Sequence, residues 1–257
     1  MRSIACLLVV AFVSLALAAS CGGSGSEEAP TSTTTPSFGR AVRYDTDDGV
    51  HVVAEVNVPE DVAEPPIVIL LHQYEGSRRQ WDGLAPKLLE AGYAVIAPDL
   101  RSFGDSTQCL RDAKEESCRL DDFDDLVKDL DAVIGWAASR QQGFDTDRIA
   151  VIGASMGGNL AYVASGGFEA VDTVVSMSPS ADPGGDALLG KGIEGFSPHS
   201  VLFMSDDAEA ADARALAANA AAPIEVKVYE GATAHGVELL DNPQAVQDVL
   251  DWLEQTL

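Results

Sequence analysis

At 257 residues, 46% hydrophobic and 22% charged, the chain has apolar surface enough for one ordinary domain, which excludes a disordered polymer and a disulfide-held miniprotein. Its 41 acidic against 16 basic residues give a formal charge of −25, so it lacks the clustered Lys and Arg that phosphate backbones require, and nucleic acid is excluded as a partner. The acidity describes a soluble, self-repelling surface and names no substrate.

The chain begins with Met1-Arg2-Ser3, followed by an apolar run over residues 4–19 that ends in Leu17-Ala18-Ala19-Ser20-Cys21. A basic start and a run of this length predict a secretory signal peptide over residues 1–20, since the run is short for a membrane span. The small residues before Cys21 resemble the lipobox of bacterial lipoproteins, which implies that Cys21 is lipidated and becomes the first mature residue. Ala18 stands where that motif usually has Leu. The other reading is ordinary cleavage near Ala18 or Ala19, a secreted protein, and a stray thiol at Cys21. Residues 21–37 are rich in Gly, Ser, Thr and Pro with no apolar periodicity, so they predict a flexible tether with a reach of roughly 23 Å. Cleavage after Ser20 takes away one Arg and no acid, leaving −26 on the mature chain.

From Phe38 to Leu257 short apolar runs alternate with longer amphipathic stretches, the pattern of β-α units feeding a parallel sheet in a single domain, residues 38–257. Residues 41–44 and 50–58 predict an antiparallel hairpin closed at Asp48-Gly49. Strands are then expected at 67–71, 93–97, 148–152, 171–177, 201–204 and 224–229, eight in all. Helical spacing links Trp81, Leu84 and Leu88, then Leu126, Leu130, Val133 and Ile134, and finally Val246, Val249, Leu250 and Leu253.

Gly153-Ala154-Ser155-Met156-Gly157-Gly158 joins the strand at 148–152 to a helix-forming stretch, the context that a G-x-S-x-G elbow requires. The turn lifts the serine Oγ above the sheet, and glycines two residues either side leave room that a Cβ would fill. Read without chemistry, the same residues are a glycine-rich turn carrying an inert serine. A serine nucleophile needs a base and an orienting acid. His235, between the last strand and the last helix, is the histidine a loop can return over the sheet; His51, His72 and His199 are assigned structural roles. For the acid, Asp207 just past the strand at 201–204 is favoured, with Asp206 and Asp182 left open. At least one of Asp206 and Asp207 is expected to cap the following helix. The oxyanion donors are assigned to the backbone N–H groups of Met156 and Tyr74.

On these motifs the chain resembles the serine α/β-hydrolases of the dienelactone-hydrolase-like and esterase group, over residues 38–257. His72-Gln73-Tyr74-Glu75-Gly76-Ser77 stands where those proteins carry a His-Gly-x-x-Gly-Ser loop, and Tyr93 to Gly104 resembles their Gly-Tyr-x-Val-x-x-x-Asp-x-Arg-Gly-x-Gly stretch. Gln73 and Ser102 each replace a glycine of that pattern. The resemblance implies an α/β-hydrolase fold, a mostly parallel eight-stranded sheet with helices on both faces. Dienelactone hydrolases proper use a cysteine nucleophile; with Ser155 in its place, their substrate is not implied.

Cys109 and Cys118 close a short loop and are expected to form a disulfide worth about 2–3 kcal/mol, because export permits one and no nearby His completes a metal site. The acidic run over residues 121–125 is expected to be a solvated helix start. Only about 20 residues separate Pro179 from His199, so the lid is expected to be minimal. The expected function is an exported, lipid-anchored serine hydrolase of a small or medium ester, acting through an acyl-enzyme with no metal or organic cofactor. The alternatives are an acyltransferase or peptidase with the same three residues, and a surface lipoprotein that keeps the fold as a binding module.

Overall fold

The computed structural model describes residues 39–111, 114–139, 143–231 and 233–257. The expected signal peptide, the tether and Cys21 lie outside the described residues. In chain order the elements are β1 (Arg40–Asp45), β2 (Val50–Asn57), β3 (Pro66–Leu71), α1 (Ala85–Glu90), β4 (Ala94–Pro98), β5 (Gln108–Arg111), β6 (Lys114–Ser117), α2 (Leu126–Ala137), β7 (Asp145–Ala154), α3 (Met156–Gly167), β8 (Thr173–Met177), β9 (His199–Asp206), α4 (Ala210–Ala217), β10 (Ala221–Tyr229) and α5 (Pro243–Thr256). The ten strands belong to one mixed sheet ordered β10-β9-β8-β7-β3-β4-β2-β5-β6, with β1 paired to β2. The stretch from β10 to β4 is parallel, whereas β2 runs antiparallel to β1, β4 and β5.

Among the described residues ten strands replace the expected eight, and the additional pair is the β5–β6 hairpin in the segment read as a disulfide loop. This hairpin also corrects the expected Cys109–Cys118 bond, which is not formed. The ladder sets Glu116, not Cys118, opposite Cys109, and Cys118 donates its N–H to Thr107. The two cysteines are therefore diagonal neighbours, and diagonal positions lie about 7–8 Å apart, beyond the usual reach of a disulfide. Both side chains are buried as small apolar groups.

Each central strand is buried on both faces, which is why it reads as an unbroken apolar run. Along β3 the residues alternate between two cores. Ile67, Ile69 and Leu71 pack with α2, α3 and α4, while Val68 and Leu70 pack with α1 and α5 through Leu88, Val249, Trp252 and Leu253. Helices thus cover both faces.

A buried ion pair ties the sheet's loops to α2. Arg101, just past β4, donates from its backbone N and its Nε to Asp129 at 2.7 and 2.8 Å, and its Nη atoms reach Asp48 in the β1–β2 turn at 2.9 and 3.1 Å. Burial works against charge on Asp48, but hydrogen bonds from Arg101 and Thr46 outweigh it and hold the carboxyl well below the usual carboxylate range. The acidic run before α2 is likewise more than a solvated helix start: Asp124 accepts the Ala187 N–H at 2.8 Å, anchoring the segment between β8 and β9.

Because the strand order reverses between β3 and β7, a crevice opens at their carboxyl ends, where ligands bind in open α/β sheets. Every sequence-derived site residue except Cys21 and the cysteine pair falls on this edge, on the loops or helix start that follow β3, β7, β8, β9 and β10.

Candidate active site

Ser155 sits between β7 and α3 with φ 52° and ψ −114°, a left-handed backbone that costs a non-glycine residue roughly 1–3 kcal/mol. The surroundings hold it there: its N–H donates to Met177 at 2.8 Å, and its C=O accepts the Asn159 N–H at 3.0 Å as the first bond of α3. The flanking glycines are required by close approach. A Cβ at Gly153 meets the carbonyl of Gly157, and one at Gly157 meets the carbonyl of Leu71. Ten consecutive residues of α3, Met156 to Ser165, are buried, so this helix is fixed in the core and its N-terminal dipole lies beside the serine. Asn159 adds a two-way link, donating to the Ser180 carbonyl at 2.8 Å and accepting the Ser180 N–H at 3.0 Å.

His235 follows β10 and caps the short turn Gly236–Asp241. Its loop is fastened to the sheet edge at two points: the Gly236 N–H donates to Ser178 Oγ at 2.9 Å, and the Val237 N–H donates to Gln73 Oε1 at 3.2 Å. The ring's Nδ1 lies 2.6 Å from Glu209 Oε1. The carboxylate facing His235 is therefore Glu209 and not Asp207, the sequence's leading assignment. Asp207 accepts the Gly231 N–H at 2.9 Å, Asp206 accepts the Glu209 N–H at 3.0 Å, and Asp182 is exposed, its N–H bonded to Ser180. The reason is the length of β9. Its ladder with β10 runs on to Asp206↔Tyr229, two residues beyond the apolar run that ended at Met204. Asp206 and Asp207 are thus spent on the strand end, and the longer side chain at the N-cap of α4 reaches the imidazole. The second oxygen of Glu209, Oε2, is buried without a hydrogen-bond partner among the described residues.

On the other side, Tyr74 and Met156 both sit at the β3–β7 crevice. Among the described residues neither backbone N–H has a recorded acceptor. The Tyr74 ring is 52% exposed and packs on Phe103 and Phe123 at centroid distances of 5.5 and 5.8 Å, forming an aromatic rim.

His72 stands beneath, fully buried and with both nitrogens committed: Nδ1 donates to the Gln73 carbonyl at 2.8 Å and Nε2 accepts the Leu100 N–H at 2.9 Å. Burial lowers its pKa, against opposing contributions from the Gln73 bond and Asp99. Below about pH 6.5 the unfolded chain takes up a proton that the folded ring resists, so stability falls with pH in that window. Urea unfolding between pH 7 and 5 is expected to show a steeper loss for the native chain than for His72→Gln. Of the remaining histidines, His51 lies 2.6 Å from Asp45 in the first hairpin and His199 is exposed, its Nδ1 near the Ser197 carbonyl.

A family model described as alpha/beta hydrolase fold matches residues 66–221. Among curated proteins, an uncharacterized 31.7 kDa protein of Escherichia coli, from the traX-finO intergenic region, is 34% identical over 133 residues, covering 51% of this chain and 43% of that protein. The quorum-quenching protein AidA of Acinetobacter baumannii is 27% identical over 142 residues, covering 55% of this chain and 44% of AidA. These matches span less than half of each relative's own length. Among solved structures, an esterase of Pyrobaculum calidifontis superposes with TM-score 0.65 at 18% identity, covering 84% of both chains. A dienelactone hydrolase of Anabaena variabilis gives TM-score 0.62 at 19% identity over 85% of this chain and 97% of that one. At these identities the likeness speaks for the fold. The family match, extending over more than half of the sequence, places this chain in the alpha/beta hydrolase fold family.

Proposed function

We propose that this chain is a serine hydrolase that cleaves a small or medium ester through an acyl-enzyme. The observation that carries the reading is the Glu209–His235 contact on a loop fastened to the same sheet edge as the strained Ser155 turn. In this mechanism Ser155 Oγ attacks the ester carbonyl while His235 Nε2 takes its proton. Glu209 fixes the tautomer through Nδ1 and stabilises the imidazolium. The Met156 and Tyr74 N–H groups hold the oxyanion, and the dipole of α3 adds to them. His235 then returns the proton to the departing alkoxide, and the same steps with water release the acid. The esterases and the dienelactone hydrolase among the structural neighbours support this class. A fluorophosphonate probe is expected to give one adduct, on Ser155, in folded mature protein; mass spectrometry that finds Ser155 unmodified overturns the proposal.

The similarity to a quorum-quenching protein favours a second reading of the substrate, a bacterial signal compound with an acyl bond. Hydrolysis of such compounds, compared with nitrophenyl esters of increasing chain length, separates the two.

For location we propose an exported protein held at the outer face of the cell membrane by a lipid on Cys21. A mature charge of −26 repels anionic headgroups, so the lipid and the tether would supply the attachment. The mass of the mature N-terminal peptide is expected to carry diacylglyceryl on Cys21, and Cys21→Ser is expected to release the protein into the medium.

A further inference from the structure

Gln73, which stands where the resembling proteins have glycine, has a side chain that lies between the two halves of the site. Its backbone N–H donates to Gln80 Oε1 at 3.3 Å, and its carbonyl accepts His72 Nδ1 at 2.8 Å and the Gly76 N–H at 3.0 Å, so the main chain is fixed where β3 ends. From that anchored point the carboxamide reaches across the crevice, and Oε1 accepts the Val237 N–H at 3.2 Å, two residues beyond His235. The fit is close on every side. Gly236 has φ 59°, and a Cβ there meets Gln73 Oε1 and comes within 3.3 Å of the Ala154 Cβ, next to Ser155. One carboxamide therefore lies against Gly236 and Val237 of the histidine loop, and the next residue in its own chain is Tyr74, the proposed oxyanion donor.

We propose that Gln73 is a positioning residue that clamps the His235 loop to the oxyanion loop and so sets His235 over Ser155. The inference rests on the serine-hydrolase reading above. A glycine at position 73 leaves the Val237 N–H without this acceptor, and Ser178 Oγ on the Gly236 N–H then remains as the other fastening of the loop. Because misplacement by about 1 Å can cost a hundredfold in rate, a loosened clamp acts on the chemical step and not on substrate affinity.

Gln73→Met keeps side-chain length and removes the acceptor. It is expected to lower kcat on a nitrophenyl ester about tenfold with KM within twofold, and to slow fluorophosphonate labelling of Ser155 by a similar factor. Gln73→Glu retains an oxygen for the Val237 N–H and is expected to hold kcat within about threefold of the native chain. In a His235→Ala background, where there is no imidazole to place, Gln73→Met is expected to change residual turnover less than twofold. Equal losses in Met and Glu, an effect confined to KM, or a tenfold loss that persists without His235 overturns the clamp. A native-like rate in Ser155→Ala overturns the underlying reading, whereas a normal Ser155→Ala result with an unaffected Gln73→Met overturns the clamp alone.

Discussion

Ester turnover in Ser155→Ala is expected to fall by about 10⁶-fold. The size follows from what the serine does. Without Oγ no acyl-enzyme forms, and the imidazole and its carboxylate have no nucleophile to activate, so only the oxyanion donors and substrate binding remain. The fold should not suffer. Ser155 is half-buried, and alanine at φ 52° is no worse placed than serine, so the melting temperature is expected to stay within about 2 °C. Steady-state hydrolysis of a nitrophenyl ester beside a thermal melt reads both quantities. A loss smaller than tenfold in folded protein would remove the serine mechanism.

Glu209→Gln is expected to lower kcat by about 10³- to 10⁴-fold, while Asp207→Asn changes it less than about threefold. An amide at 209 cannot stabilise the imidazolium, and by offering N–H or O to Nδ1 it loses control of the tautomer that must present a bare Nε2 to Ser155. Asp207 has a different task. Its carboxylate accepts the Gly231 N–H where the chain leaves β10, and asparagine keeps an oxygen for that bond. Asp206→Asn likewise keeps an acceptor for the Glu209 N–H at the start of α4. Kinetics of the three variants on one substrate decide between the carboxylates; a collapse at Asp207 with a mild effect at Glu209 reverses the assignment made from the geometry.

That reversal between Asp207 and Glu209 shows where reading the residues runs out. Each of the eight expected strands exists; the central ones were plain because a strand buried on both faces has to be apolar throughout, and the glycine, proline and aspartate turns between the runs mark the ends. The elbow at Ser155 was legible for a local reason: Gly153 and Gly157 are demanded by contacts within a few residues and with the neighbouring β3. The end of β9 was not, since Ser205 and Asp206 are polar residues kept in the ladder by pairing with Val228 and Tyr229, partners more than 20 positions away. The β5–β6 hairpin escaped for the opposite reason. Its strands are only four residues long and lie at the sheet's edge, so no apolar run announces them even though Cys109 is buried.

Local sequence by itself marked the eight expected strands and the serine turn, because periodicity and glycine sterics are properties of neighbouring residues. Only the tertiary structure decided which carboxylate meets the imidazole, that Cys109 and Cys118 lie on a diagonal instead of forming a bond, and that Gln73 bridges to Val237. Each of those depends on register between segments far apart in the chain, and a shift of one or two residues at a strand end moves a side chain by a whole hydrogen-bonding position.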